Sequence, residues 1–586
     1  MSANQSYLSD GDYGYDCVVA TTQESINETM KQYIATNKHM ATVTMYFNQD
    51  RKGNPVLVTR DDLLVQTGGV DPLDPSVPAW DGNGDQPDAL DFLDLKTCTF
   101  WYAFTATIGK PKCYTSATMP DIITLNPGAN TVSFKLLCSN FRIVESNYTR
   151  FGLGSYISAS QPTTVGSDAW MYTATVDLTT LDVKINQIST DPNDPFNGQA
   201  VVDQANAFTN KGATAFSIQQ LMFDLDNPLV ETTPKFTGIT PGSTLETALN
   251  EAFAGAYFST MQESGAPILG YKFTMPTAPD TSSLVFSNID LEADALLDGN
   301  DQAIPDPTDD QKKLATLNYL CTTNGKTPKT VNHLPWNWVE NDTELGDFDG
   351  VVAVNRNTLA NYFSTALMRY ARPNCFLPTV KVTLDDASEP VYEFSMAGGQ
   401  LPTIAFPKTG QTVLTISWNP DASSDQAGVN GNIGQASMQP SFNLSVDFTG
   451  NTIVITQHLK VNVSVSVHLS SDSGNVIDVT KVDTYTLSID PSGKLLYTPV
   501  TVTTDNSQSP KVNVFINFFT GLNELIGDIT TWLTGFVETH LTDIPLSTAQ
   551  DFIFPAGSTF TFSDVNFSDH QDLVGHVKYI KIPINA

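Results

Sequence analysis

The segment Asp81-Gly82-Asn83-Gly84-Asp85 has side chains whose spacing could bind calcium. Its carboxylate and amide oxygens fall at positions 1, 3 and 5 of an EF-hand-type loop. Gln86 stands at position 6, where that loop needs glycine, and Phe92 stands at position 12, where it needs a bidentate glutamate. The pattern therefore favours a solvated turn over a calcium site.

The seven histidines show no zinc spacing and no His-Glu-x-x-His pattern. His458 and His468 share one face of a predicted strand, ten residues apart, which is too far to chelate one ion. His570, Asp572 and His576 form only a loose group near the carboxyl end. No nucleophile elbow, Walker loop or dinucleotide fingerprint occurs. We therefore expect no catalytic residues, no metal site and no cofactor, and a protein that is not an enzyme.

Composition restricts the partners of this chain. It has 586 residues and a formal net charge of −33, with 30 Lys and Arg against 63 Asp and Glu. Nucleic acids and anionic membrane surfaces attract clustered cations, so both are disfavoured. The six cysteines are scattered and are interpreted as buried free thiols, with one disulfide among Cys98, Cys113 and Cys138 left open.

The residues that follow Met1, Ser2-Ala3-Asn4-Gln5-Ser6, are polar and lack the apolar core of a signal peptide. We therefore expect a soluble protein that is cytoplasmic or is secreted by a non-classical route.

Apolar residues recur at helical spacing between Asn513 and Ile544, over about eight turns. The predicted helix would be roughly 45 Å long. Its other face carries polar residues such as Glu524 and Asp528, which argue against a transmembrane segment. Six of its apolar side chains are candidate ligand-binding residues: Phe518, Leu522, Leu525, Ile529, Trp532 and Phe536.

The segment from Ile453 to Leu469 alternates apolar and polar residues, which predicts an unusually long strand of about 17 residues. Gln457 interrupts the apolar side of this alternation. A single apolar face indicates an antiparallel sheet that is covered on one side. A twisted sheet curled along the long helix would bury both apolar stripes. The strand adds four candidate ligand-binding residues: Val461, Val463, Val465 and Val467.

Two pairs of segments indicate an internal repeat. Residues 16–20 align without a gap on residues 349–353, and a predicted helix follows each of them. Phe286 to Leu291 matches Phe562 to Phe567 in residue type, in the same order along the chain.

The repeat predicts two modules, at residues 12–297 and 345–586. Residues 298–344 are interpreted as a linker and inter-module segment, because Asp, Gly and Pro cluster at its start. We predict one short helix in this segment, near Lys312 to Cys321.

A single long helix wrapped lengthwise by a strongly curved antiparallel sheet resembles the tubular lipid-binding (TULIP) superfamily. The opening Tyr15-Asp16-x-Val18-Val19-Ala20, with Asn27 in the next helix, resembles the start of the OrfX-type proteins of botulinum neurotoxin gene clusters. The long helix, followed by Phe552-Ile553-Phe554-Pro555 and Phe560-Thr561-Phe562, resembles their carboxyl end. Tyr15 stands where tryptophan is typical, and the insert from Asp71 to Asp94 has no counterpart.

The resemblance implies an α+β fold of tandem TULIP-like modules, each a long helix wrapped by a highly curved antiparallel β-sheet. It implies a toxin-associated protein that binds lipid or another apolar ligand, without catalysis, in a cleft between helix and sheet. A protein partner or a homo-oligomer is left open. Two alternatives also stay open: a fully packed structural or toxin-complex accessory protein, in which Trp336 and Trp338 mark an interaction segment, and a β-rich carbohydrate-binding protein.

Overall fold

A computed structural model describes residues 2–10, 13–36, 42–183, 217–224, 235–250, 268–274, 286–326, 333–508 and 560–579, apart from gaps of one to four residues within those ranges. In this part of the chain the protein is rich in β-structure, with several antiparallel sheets and few helices. The helix predicted between Asn513 and Ile544 lies outside the described residues.

The described strands of the first half, in chain order, are β1 (Cys17–Thr22), β2 (Thr42–Gln49), β3 (Pro55–Val58), β4 (Phe100–Ile108), β5 (Ile123–Asn126), β6 (Thr131–Leu136), β7 (Cys138–Thr149), β8 (Gly152–Ser160), β9 (Met171–Val183), β10 (Ser217–Asp224), β11 (Lys235–Thr237), β12 (Ile268–Thr274), β13 (Phe286–Asp294) and β14 (Thr316–Thr323).

The strands that follow are β15 (Gly350–Val354), β16 (Leu377–Leu384), β17 (Pro390–Ala397), β18 (Thr403–Ala405), β19 (Thr412–Trp418), β20 (Ser423–Val429), β21 (Asn432–Thr449), β22 (Thr452–Val467), β23 (Ser470–Ile489), β24 (Leu495–Asp505), β25 (Phe560–Phe562), β26 (Asn566–Phe567) and β27 (Leu573–Tyr579). The described helices are α1 (Gln23–Thr36), α2 (Arg60–Gln66), α3 (Thr244–Leu249), α4 (Asp309–Lys313) and α5 (Arg356–Ala371), with short 3-10 turns at Ala3–Gln5, Asp88–Leu90 and Arg372–Asn374.

A seven-stranded antiparallel sheet, called the central sheet below, joins strands from distant parts of the sequence. Its order is β13-β14-β1-β15-β27-β25, and β26 also pairs with β27. Every residue of β1, β14 and β15 is buried. Successive side chains of a strand point to opposite faces, so burial of all of them shows that this sheet is covered on both faces.

The two segments that align in the sequence lie side by side at the centre of this sheet. β1 and β15 pair in an antiparallel register that places Val19 opposite Val352. The gapless alignment equates the same two valines. Antiparallel neighbours that match residue for residue are related by a local two-fold axis, which here passes between Val19 and Val352.

The hydrogen bonds that flank this axis come in matched pairs. The amide of Asn355 donates to the carbonyl of Asp16 at 3.0 Å, and the amide of Thr22 donates to the carbonyl of Asp349 at 3.1 Å. The side chains of Thr22 and Asn355 then cap α1 and α5, since each accepts a hydrogen bond from a backbone amide in the first turn. The strand and helix start that open the two predicted modules therefore have the same local geometry.

The helix predicted near Lys312 to Cys321 is wrong over most of its length. α4 ends at Lys313, and Thr316–Thr323 forms β14, which lies between β13 and β1. A strand that is buried on both faces reads as a continuous run rather than an alternation, so periodicity alone does not distinguish it from a buried helix. The predicted linker thus contributes a strand to the central sheet, while the division into modules stays a prediction.

A second seven-stranded antiparallel sheet, called the long sheet below, has the order β18-β19-β21-β22-β23-β24, and β20 also pairs with β21. β22 confirms the strand predicted from Ile453 to Leu469, and it ends at Val467. Its odd-numbered residues from Ile453 to Val465 are buried, whereas the even-numbered ones between them are partly exposed. The side of the long sheet that carries those odd-numbered residues is called the inner face.

Helix α5 packs against the inner face of the long sheet. Its residues Leu359, Phe363 and Leu367 are buried, as their helical spacing predicts. The ring of Phe363 contacts Phe448 of β21 edge-on, with 5.9 Å between ring centroids. Phe448 in turn stacks on Phe567 at 4.3 Å, which connects the long sheet to the central sheet.

The remaining strands form three further antiparallel arrangements. One sheet has the order β3-β2-β4-β7-β8, another has the order β12-β10-β9-β6-β5 with β11 paired to β9, and β16 and β17 form a hairpin. All six cysteines are free and buried. The interpretation as buried free thiols is therefore confirmed, and the disulfide left open among Cys98, Cys113 and Cys138 is not formed.

Candidate ligand-binding site

The β22 residues predicted to bind a ligand lie on the inner face of the long sheet. Val461 and Val463 are fully buried, Val465 is nearly so, and Val467 is the last residue of the strand. The six helix candidates lie outside the described residues: Phe518, Leu522, Leu525, Ile529, Trp532 and Phe536. The meeting of helix and sheet at these residues therefore stays a prediction.

Neighbouring strands extend the apolar surface on both sides of β22. Val463 faces Met438 of β21, and Val461 faces Ile477 of β23, and all four side chains are buried. Directly opposed residues of an antiparallel pair project to the same face, so their side chains pack together. Around Val461 and Val463 the inner face is thus apolar across three strands.

The hairpin formed by β16 and β17 closes one end of the inner face. The hydroxyl of Tyr392 on β17 donates a hydrogen bond to the carbonyl of Ser466 at 3.4 Å. A Cβ added to Gly434 of β21 would collide with the ring of Pro390. Glycine at this position therefore allows the hairpin to approach the long sheet closely.

Gln457 is a polar residue in the middle of this apolar surface. Its side chain is fully buried, and neither Oε1 nor Nε2 has a hydrogen-bond partner among the residues that the structure describes. Leaving a buried polar group without a partner costs about 1–3 kcal/mol, and such groups are rare in native proteins. The position of Gln457 on the apolar side was visible in the sequence, but its lack of a partner was not.

Two charged residues lie beside Gln457 on the same face. Lys481 of β23 is directly opposite Gln457 and is 2% exposed, and Asp483, two residues further on, is 3% exposed. Burial lowers the pKa of Lys481, and the nearby Asp483 carboxylate opposes that shift. The hydroxyl of Thr501 donates to Asp483 Oδ1 at 2.6 Å. No local sequence pattern indicates this group, because the register between β22 and β23 brings it together.

The inner face therefore offers two kinds of contact. Valine, methionine and isoleucine side chains can bury an acyl chain or a ring by the hydrophobic effect. At the level of Gln457, an amide with a free donor and a free acceptor can bind a hydroxyl, ester or amide group of a ligand. This combination suits an amphipathic molecule rather than a pure hydrocarbon.

Other sequence candidates take structural roles. Asp81 accepts hydrogen bonds from the backbone and side-chain nitrogens of Asn83, both at 3.0 Å, and these bonds lower its pKa. The segment is an exposed turn held by these bonds. His458 contacts Asp478 at 2.8 Å, and His576 contacts Asp564 at 2.7 Å, so each histidine pairs with a single carboxylate.

Trp336 and Trp338 are buried, at 3% and 2% exposure. Their rings meet edge-on, with 5.6 Å between centroids, and Tyr13 packs edge-on against Trp336 at 5.7 Å. Their rings are part of a core, so burial favours a packing role for these tryptophans over an exposed contact site.

A small apolar cavity lies where the central sheet meets the first residue of β24. Its volume of about 10 Å³ is roughly the space of one water molecule, too small for an acyl chain. Its lining residues are Val352, Val354, Leu495, Phe562, Val565, Leu573 and Gly575.

In the described part of the chain, no helix combines the length and the apolar character needed to cross a membrane.

No protein-family model and no curated protein matches this chain. Among solved structures, it is similar to P47 of Clostridium botulinum E1, with a TM-score of 0.40 and 9% identity over 96% of this chain and 98% of that one. It is also similar to a lipopolysaccharide binding protein, with a TM-score of 0.26 and 10% identity over 97% of this chain and 100% of that one. Both similarities agree with the resemblance to TULIP and OrfX-type proteins described above. At such TM-scores, however, neither carries an argument about fold or function.

Proposed function

We propose that this protein binds a lipid or another amphipathic ligand on the inner face of the long sheet, without catalysing a reaction. In this proposal the acyl part lies along Val461, Val463 and Val465, and a polar group of the ligand reaches Gln457. The apolar side of the helix predicted between Asn513 and Ile544 would form the opposite wall.

The observation that carries this proposal is the buried side-chain amide of Gln457, which has no hydrogen-bond partner among the described residues. A surface that contacted only apolar groups would not need a buried amide. A buried amide with a purely structural role would have hydrogen-bond partners inside the protein. A ligand ester, hydroxyl or amide would supply one donor or acceptor to each free atom of Gln457. The ligand would thereby recover the free energy that the protein loses by burying this side chain.

The proposal includes tandem modules at residues 12–297 and 345–586. The local two-fold axis between Val19 and Val352, and the matched caps of α1 and α5, support it. The long sheet lies wholly in the second of these segments.

Native mass spectrometry of the purified protein, followed by organic extraction, tests the proposal directly. We expect a bound lipid in the native spectrum and its release on extraction. Binding of a fluorescent lysophosphatidylcholine then gives an affinity for the delipidated protein. We expect Gln457→Leu to weaken this binding roughly 5- to 150-fold, since a buried hydrogen-bonding group contributes about 1–3 kcal/mol.

Gln439→Leu is the matched control. Gln439 lies on the neighbouring strand β21 but is exposed on the opposite side of the sheet. We expect its substitution to leave lipid binding unchanged. A wild-type protein that neither carries lipid nor takes it up, or equal affinities for wild type and Gln457→Leu, would contradict the proposal.

A further inference from the structure

Two buried carboxylates lie on one face of the central sheet, near its edge. Glu292 and Asp294 are two residues apart on β13, so both side chains point the same way. They are 4% and 7% exposed. Burying two acids side by side is unfavourable unless a proton, a basic group or a cation compensates their charge. This pair therefore favours a proton, a basic group or a cation beside it.

His333 brings a third donor atom to the same point. Its Nδ1 lies 3.0 Å from Asp294 Oδ1 and 3.4 Å from Glu292 Oε1. One ligand atom from each of the three residues lies within 4.8 Å of the other two. The imidazole is 61% exposed, so water can reach this side of the group. The arrangement has a buried acidic floor and an open histidine side.

Asn318 supplies an independent sign of a missing partner. It is fully buried on β14, directly opposite Glu292, and its Nδ2 donates to Asp294 Oδ2 at 2.6 Å. The amide oxygen Oδ1 is buried and accepts no hydrogen bond from any residue that the structure describes. The same amide that holds Asp294 therefore carries a buried acceptor, on a residue that is paired with Glu292. A cation bound by the two carboxylates would offer this oxygen a partner.

His333 Nδ1 is hydrogen-bonded to Asp294 Oδ1, and its two distances to the carboxylates can also be compared with metal coordination. Zinc bonds of about 2.0–2.1 Å in a tetrahedron separate neighbouring donor atoms by about 3.3–3.4 Å. The two contacts of His333 Nδ1, at 3.0 Å and 3.4 Å, bracket that separation. Asn318 Nδ2 holds the other oxygen of Asp294, as the outer partners of metal-binding carboxylates do.

We propose that Glu292, Asp294 and His333, with Asn318 beside them, form a binding site for one divalent transition-metal ion of the zinc type. Two carboxylate oxygens and one imidazole nitrogen would bind the ion, and water or Asn318 Oδ1 would complete its coordination. Imidazole favours zinc over calcium or magnesium, which prefer oxygen alone. The site does not depend on lipid binding by the long sheet.

The ion would have a structural role. The segment that begins at His333 also carries Trp336 and Trp338, which are buried. Asn337 attaches this segment to Leu297, since it accepts a hydrogen bond from the amide at 2.8 Å and donates one to the carbonyl at 3.1 Å. A metal ion would fix the start of the same segment to β13.

Zinc binding by the full chain tests this proposal. After the metal has been removed with a chelator, Zn²⁺ has been added back and the excess has been dialysed away, we expect one Zn²⁺ per chain by elemental analysis. We also expect a higher melting temperature for the reloaded protein than for the stripped one. Competition with a chromophoric chelator gives the affinity. We expect Asp294→Asn and Glu292→Gln to weaken Zn²⁺ binding by at least about tenfold, because each removes a charged ligand while keeping its shape.

Three further variants separate a metal site from a purely structural cluster. His333→Gln changes an exposed residue and should keep the fold but weaken Zn²⁺ binding. Asn318→Asp adds a carboxylate, which should tighten Zn²⁺ binding, whereas a site without metal would only be destabilised by it. Asp478→Asn, in the His458 pair that has one carboxylate, should leave Zn²⁺ binding unchanged. No stoichiometric Zn²⁺, or Ca²⁺ bound in its place, or unchanged affinity in Asp294→Asn would overturn the proposal.

Discussion

Asp572 and Gln457 are both fully buried polar residues, yet their surroundings are opposite. Asp572 accepts hydrogen bonds from Ser6 Oγ at 2.9 Å, from the amide of Leu8 at 2.6 Å and from the amide of Arg356 at 2.9 Å. Gln457 has no hydrogen-bond partner in the described part of the chain. A polar residue that holds three distant segments together has a structural role, whereas one without a partner is where a ligand can add contacts.

Asp572 lies where the first residues of the chain, the start of α5 and the beginning of β27 converge. Arg356 extends the network, since its guanidinium donates to the carbonyls of Pro407 and Thr412, both at 3.0 Å. The bonds of Asp572 join segments that are hundreds of residues apart in sequence, and those of Arg356 add a segment about fifty residues after it. The network thus replaces backbone pairing where the strands of the central sheet end.

The largest expected effect is the loss of this network. Asp572→Ala leaves three buried donors without an acceptor and removes the carboxylate nearest the buried Arg356. We expect the free energy of unfolding to fall by about 3–5 kcal/mol, the range found when one partner of a buried polar network is removed. Denaturant unfolding measures this change. Asp569→Ala, at an exposed position three residues away, should change it by less than about 0.5 kcal/mol.

A loss of stability in Asp572→Ala no larger than that of Asp569→Ala would contradict the structural role. It would also remove the contrast with Gln457, because satisfied and unsatisfied buried groups would then behave alike.

The next effect is on the pH dependence of stability. Burial raises the pKa of Asp572 from 3.8 to about 7, although its three hydrogen bonds oppose the shift. A raised pKa in the folded state means that the stabilising contribution of Asp572 is complete below pH 3.8 and is lost as the pH rises to about 7. Compared with Asp572→Asn, the wild type should therefore lose stability across this interval.

Urea unfolding of the wild type and of Asp572→Asn at several pH values measures this difference. We expect the difference in unfolding free energy to decrease between about pH 4 and pH 7 and to be constant above that interval. A constant difference throughout would show that the folded-state pKa is not raised.

The contrast between the two residues was only half visible in the sequence. The alternation from Ile453 to Leu469 predicted β22 and placed Gln457 on its apolar side, because side-chain direction follows from a period of two alone. Around Asp572 the sequence shows only a loose group of polar residues, formed with His570 and His576. The partners of Asp572 come from the first residues of the chain and from α5, and no local pattern encodes such contacts.

The proposed metal site shows the same limit. Glu292 and Asp294 share a face of a strand by spacing, but His333 follows about forty residues later, beyond any motif. β14 was predicted as a helix because its burial on both faces removed the alternation that identifies a strand. Local periodicity thus predicted elements with one covered face, while pairing between distant segments determined the rest.

The smallest expected effect concerns Gln457 in the delipidated protein. Gln457→Leu replaces a buried amide without partners by an apolar side chain of similar size. We expect the free energy of unfolding to rise by about 1–3 kcal/mol, since the desolvation penalty of the amide disappears. Gln439→Leu, on the exposed side of β21, should change it by less than about 0.5 kcal/mol. Denaturant unfolding of all three proteins measures both changes.

The two outcomes for Gln457 distinguish a binding group from a structural one. A variant that is more stable without lipid but binds lipid more weakly shows that the amide is retained for the ligand at the expense of stability. A variant that loses stability shows instead that Gln457 has partners inside the protein. It would then belong with Asp572, and the inner face would contain no polar group that needs a ligand.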